Sequence, residues 1–160
     1  MSTETTGRLS ESELVDLTAA LDDEYMARAT YAQVIADFGE VRPFINIVDA
    51  EGRHAEALIS VFHRYDEPVP ADTWPERVAH YDSVGEACEA AVVAEVENAA
   101  LYERLLAGTD KADILAVYRN LQEASQERHL PAFRRCTQRG GESTGDGTGR
   151  RRRRRRRGGR

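Results

Sequence analysis

Apolar residues near the start of the chain recur at helical spacing. Leu14, Leu17, Leu21, Tyr31, Ile35 and Phe38 share one stripe, with Glu24 and Arg28 holding places on it. Ser10 and Glu13 form a capping box ahead of this stripe and Gly39 closes it, which predicts a first helix from residue 10 to Phe38. Pro43 suits the first turn of a second helix, ending near Tyr65. In that helix Phe44, Glu51, Leu58 and Tyr65 are spaced by seven, as are Ile47, His54 and Val61, so Glu51 and His54 lie within an apolar stripe. Residues 66–82 break the pattern with a proline-rich stretch. Ser83 and Glu86 form a second capping box, opening a third helix to about Ala107. Asp110 is the expected cap of a fourth, which runs to about Cys136 and should bend or loosen its last turns at Pro131.

These elements predict an all-α protein. The link Gly108-Thr109 is short, so the third and fourth helices should run antiparallel. The 66–82 segment is too long for a tight turn. About 17 extended residues reach some 55 Å, whereas a 22-residue helix is only about 33 Å long, so the segment is able to cross a whole bundle.

Glu51 and His54 stand three residues apart and project from one side of their helix, as two ligands of one metal must. Alone this is a common spacing on solvated helices. Within an apolar stripe it changes meaning, because a buried carboxylate needs a cation, a hydrogen-bond donor or a proton. The chain also repeats itself. Glu24-Tyr-Met-Ala-Arg-Ala-Thr-Tyr31 aligns with Glu95-Val-Glu-Asn-Ala-Ala-Leu-Tyr102, and Arg53-His54-Ala-Glu-Ala-Leu58 with Arg128-His129-Leu-Pro-Ala-Phe133. Each half supplies a Glu and then a His. A duplicated two-helix unit brings Glu24, Glu51, His54, Glu95 and His129 to the middle of one core, a hard-oxygen and imidazole set suited to iron or manganese.

With these residues in place, the sequence resembles the ferritin-like four-helix di-iron carboxylate proteins. The phrases Arg42-Pro-Phe-Ile-Asn46, Glu95-Val-Glu-Asn98 and Ala124-Ser-Gln-Glu-Arg-His-Leu-Pro-Ala-Phe133 resemble more closely the ferritin-like family DUF2202, over roughly residues 11–137. The resemblance implies an up-down-down-up bundle with a long crossover between the second and third helices. It further implies two iron ions, with Glu24 and Glu95 as terminal ligands, Glu51 as a bridge, and His54 and His129 as one imidazole per metal. Gln126 departs from the pattern where a second Glu is expected. A neutral amide cannot bridge two cations as a carboxylate does, and on regular helical angles Ser125 points more nearly inward than Gln126. Glu127, Glu123 or Glu97 would need a distorted helix to compensate. Three states of the core follow as alternatives: two metals, a single metal, or a metal-free polar core in which Arg28 neutralises Glu24 or Glu51. Manganese, zinc or copper are alternatives to iron.

Tyr31 and Tyr102 each lie seven residues beyond an expected ligand, as neighbouring phenols, radical relays or simple packing. Cys88 lies seven before Glu95 and Cys136 seven after His129, so an antiparallel pair that sets Glu95 beside His129 brings the cysteines level, about 10 Å along the helix axes. They are a candidate redox pair, with two buried thiols as the alternative. His63 and His80 are assigned to the surface or loop.

Composition divides the chain further. Nine of the eleven residues 150–160 are Arg, while residues 1–140 hold 26 acidic and 13 basic groups. Residues 1–9 are expected to be disordered, 10–139 to form the bundle, and 140–160 to be a Gly-rich linker with a polyarginine tail. No apolar run approaches a membrane span, the polar start is not a secretion signal, and two cysteines do not make a secreted disulfide framework, so a cytoplasmic protein is expected. The expected function is a di-iron oxidoreductase acting on O2 or peroxide, ferroxidase- or peroxidase-like, in a monomer or homo-oligomer. The alternative is a helical scaffold whose arginines from Arg150 to Arg157 bind nucleic acid or another polyanion in a salt-sensitive, sequence-blind way.

Overall fold

The computed structural model describes residues 7–142; of the start expected to be disordered, 1–9, residues 1–6 lie outside the described residues, as does the polyarginine tail, whereas 7–9 are described and Leu9 packs against the core. The helices are α1 (Glu11–Phe38), α2 (Phe44–Arg64), α3 (Val84–Leu106), α4 (Ala112–Ala124) and α5 (Leu130–Glu142), with a π-helical turn at Ser125–His129 joining α4 and α5 into one rod. Four rods make a bundle, and there is no strand among the described residues.

Local chemistry sets most boundaries. The Ser10 hydroxyl accepts from the Glu13 amide at 3.1 Å and the Glu13 carboxylate accepts from the Ser10 amide at 2.9 Å, which completes the first capping box. The second box is half made: Ser83 accepts from the Glu86 amide, while the Glu86 carboxylate takes the Asp82 amide. Gly39 ends α1 at φ 88°, a left-handed backbone that glycine adopts without a steric penalty. The last rod begins one residue later than expected, with Lys111 rather than Asp110 at its N-cap. Its start is fixed from another helix, because Glu13 of α1 takes hydrogen bonds from Thr109 at 2.5 Å and Lys111 at 2.7 Å. The rod also continues past Cys136 and Arg139, to Glu142.

Contacts between rods fix the topology. Glu13 meets Thr109, Glu24 meets Tyr102 and Tyr31 meets Glu95, so α1 and α3 run antiparallel. Tyr65, just beyond α2, meets Asp113 while Glu51 meets His129, so α2 and the last rod are antiparallel as well. The order is up-down-down-up. The crossover runs along α1, where Trp74 donates to Asp22, Tyr25 donates to the Pro70 carbonyl, Arg28 pairs with Asp72, and His80 pairs with Asp37.

The core has two apolar layers. One contains Leu17, Leu21, Leu58, Phe62, Leu105 and Tyr118, with Leu9 packed against it; the other contains Tyr31, Val34, Phe44, Ile47, Ala91 and Phe133. Each fully buried Leu or Phe contributes about 1.5–3 kcal/mol. The second layer also holds Cys88 and Cys136, joined as a disulfide with Cα atoms 6.0 Å apart. The level pairing expected from the spacing is therefore present, and the two-thiol alternative is not the state of this structure.

Candidate metal centre

Between the apolar layers lies a polar slab in which Glu24, Glu51, Glu95, Ser125 and His129 are all buried. Glu51 of α2 is its hub. Its Oε2 lies 3.1 Å from His54 Nδ1 and its Oε1 lies 3.1 Å from His129 Nδ1, so one carboxylate presents an oxygen to each imidazole. Glu24 Oε2 is 3.5 Å from His54 Nδ1, and Glu95 Oε1 is 3.4 Å from His129 Nδ1. The two rings stack 5.4 Å apart at 19°. Two three-ligand groups result, Glu24, Glu51 and His54 on one side and Glu51, Glu95 and His129 on the other, each with ligand atoms within 4.8 Å of one another.

The last rod reaches this slab through its π turn. Pro131 has no N–H to continue the regular ladder, and the backbone widens so that the Leu130 amide bonds to the Ser125 carbonyl. Ser125 and His129 are buried, while Gln126, Glu127 and Arg128 face solvent. Gln126 is therefore corrected: it faces solvent outside both three-ligand groups, and Glu123, Glu127 and Glu97 are exposed and outside them as well. Ser125 occupies the inward position, donating its hydroxyl to Glu95 Oε2 at 2.5 Å.

Arg28 is corrected as well. It pairs with Asp72 at 3.1 Å and lies over the Tyr25 ring, away from Glu24 and Glu51. Among the described residues, His54 and His129 are the cationic side chains within salt-bridge distance of the slab's three glutamates, Glu24, Glu51 and Glu95. Burial works against a charged imidazole. Hydrogen bonds to Glu24 and Glu51 nonetheless raise His54 to about 9, and those to Glu51 and Glu95 raise His129 to about 9. Burial and the Glu51 charge raise Glu24 to about 7. For Glu51 burial is outweighed by hydrogen bonds from His129 and His54, which hold it below the usual carboxylate range.

The two tyrosines connect the halves crosswise. Tyr31 donates to Glu95 Oε1 at 2.8 Å and Tyr102 donates to Glu24 Oε1 at 2.6 Å. Burial and the neighbouring carboxylates push both phenols well above their ordinary pKa, so both are donors. Sequence reasoning missed Asp23 and Asn98 as a pair: the Asn98 amide donates to Asp23 at 2.5 Å and reaches Glu24 at 3.5 Å. Their signal was the three-residue step from Glu95 to Asn98, which puts both on one helix face. His63 is exposed, and His80 belongs to the loop contact with Asp37, so neither joins the centre.

A family model described as "Uncharacterized protein domain (DUF2202)" matches residues 16–146. The fold is also that of a crystal structure of a hypothetical protein from Methanococcus jannaschii DSM 2661, with a TM-score of 0.75 and 24% identity over 88% of this chain and 87% of that one. No curated protein matches the chain. Among the described residues no helix is long and apolar enough to cross a membrane.

Proposed function

The chain belongs to the DUF2202 family, and we propose that it is a ferritin-like, non-haem di-metal carboxylate protein that holds two iron ions and reduces O2 or peroxide, as a ferroxidase or peroxidase does. One observation carries this reading: Glu51 turns one oxygen toward each of two histidines, and each histidine has its own second glutamate. Three buried carboxylates facing two imidazoles, with no buried Lys or Arg among the described residues, form a donor set that fits two divalent cations. Hard oxygen and imidazole donors favour iron or manganese over soft-ligand metals.

Glu24, Glu51 and His54 would hold one ion and Glu51, Glu95 and His129 the other. When bound, an iron pair supplies the two electrons that, with two protons, reduce one hydrogen peroxide to two waters. The chain's own part is to hold the ligands in register. Tyr102 and Tyr31 fix one oxygen each of Glu24 and Glu95, and Ser125 fixes the other oxygen of Glu95. Both imidazoles must give up a proton to bind metal, and their elevated pKa values place that proton in competition with the cation.

Metal analysis of protein purified without chelator tests this reading, followed by Fe(II) and oxygen or peroxide with absorbance followed at about 300–400 nm, where carboxylate-bound Fe(III) absorbs. Two metals per chain and oxidation faster than in buffer are expected. Fewer than two metals, or no acceleration, contradicts it.

A further inference from the structure

A cavity of about 100 Å³ lies between α1 and α3. Its lining runs from buried Glu51, Glu95 and Tyr31 to half-buried Met26 and Tyr81, and neither histidine contributes to it. The cavity therefore reaches the carboxylate side of the slab. Its walls are small: Ala27 and Thr30 on α1 face Ala90, Ala91 and Ala94 on α3. Asp23 and Asn98 also line it, but they are hydrogen-bonded to each other.

We infer that this cavity is the port through which a neutral oxidant of two heavy atoms, hydrogen peroxide or dioxygen, reaches the centre, with its alanine walls setting the size limit. The inference rests on the function proposed above. Size argues for it, because an apolar cavity of roughly 150 Å³ accommodates benzene, so this smaller space holds a few heavy atoms and excludes a bulky organic hydroperoxide. Polarity argues for it too. A small neutral molecule loses little in passing the alanine wall of Ala27, Ala90, Ala91 and Ala94. The larger groove between α1 and α2, lined by Arg28, Ala32, Asp49 and Arg53, includes none of the five expected ligands and serves as a control.

Two arms test the port. In xenon-pressurised crystals of the metal-free wild-type protein, xenon is expected in the α1/α3 cavity; its absence there overturns the inference, whatever the metal content. In the second arm Ala94→Leu and Ala27→Leu fill the cavity from opposite helices, and Ala32→Leu alters only the control groove. With two irons bound, the filled variants should react with hydrogen peroxide slower by about tenfold or more, the effect of overpacking on a barrier to passage. Ala32→Leu should keep the wild-type rate, and cumene hydroperoxide, with its phenyl ring, should react far more slowly than hydrogen peroxide in the wild type. Filled variants that lose xenon yet react at the wild-type rate, or equal rates with the two hydroperoxides, overturn the port. A wild-type protein that binds two irons and reacts with neither oxidant instead overturns the proposed function, leaving the xenon result to judge the cavity.

Discussion

The Tyr31 hydroxyl of α1 donates to Glu95 of α3 at 2.8 Å. Its counterpart in the repeat, Tyr102 of α3, donates to Glu24 of α1, so each half of the chain secures the glutamate of the other. Removing either hydroxyl leaves a buried carboxylate oxygen short of a donor, at about 1.5–3 kcal/mol for a bond to a charged group. Tyr31→Phe and Tyr102→Phe should each lower the unfolding free energy of metal-free protein by that order in urea titrations. Bound cations would offset part of the loss, so the deficit should shrink in the metal-loaded protein.

The same buried cluster sets a pH dependence for protein stripped of metal. Folded-state values near 9 for His54 and His129 and near 7 for Glu24 exceed the ordinary 6.5 and 4.5, so the folded chain binds more protons than the unfolded one in this range. Stability from these groups is fully present below the unfolded values and is lost as pH rises through the folded ones; the depressed Glu51 opposes this only at the acidic end. Metal-free protein should therefore be less stable at pH 9 than at pH 6.5, while metal affinity should rise over the same interval as the imidazole protons leave. Urea titrations and metal competition at the two pH values check both trends.

Glu13 contributes to stability at the acid end. Burial opposes its charge, but hydrogen bonds from Lys111, Ser10 and Thr109 lower it from 4.5 to about 2. Its contribution is present above the unfolded value and is lost as pH falls through the folded one. Glu13→Gln should be less stable than wild type at pH 7, and the difference should narrow as pH falls toward 2. Thermal melts at stepped pH measure this.

The Cys88–Cys136 bond closes a 48-residue span. Constraining the unfolded chain over such a loop is worth about 4 kcal/mol in the chain-entropy treatment. Reduction, or a Cys88→Ser, Cys136→Ser double variant, should lower stability by that order while leaving metal stoichiometry unchanged, since neither cysteine is among the candidate ligands. Denaturant unfolding beside metal analysis tests both halves of the statement.

What the sequence made legible followed helical arithmetic. The spacings that put Glu51 and His54 in an apolar stripe, and the repeat that paired them with Glu24, Glu95 and His129, place five side chains that the structure brings together. Cys88 and Cys136 came level for the same reason. Illegible were features decided between helices or by a departure from regular geometry. Regular helical angles already favour Ser125 over Gln126 as the inward residue; the π turn itself, and the hydrogen bond from Ser125 to Glu95 Oε2, are what those angles do not show. Arg28, on the first helix's own stripe, is drawn to Asp72 of the crossover, a partner 44 residues away. The crosswise exchange of Tyr31 and Tyr102 depends on the packing of α1 against α3, which spacing within either helix does not specify.

Everything in the proposed function depends on Glu51 standing between two cations. A crystal of the protein loaded with iron, measured above and below the iron absorption edge, tests that directly. Two anomalous peaks are expected, one beside each oxygen of Glu51, near His54 and His129 respectively, and neither should survive in Glu51→Ala. A single peak, no peak at this level of the bundle, or two peaks that persist without the Glu51 carboxylate would contradict the account.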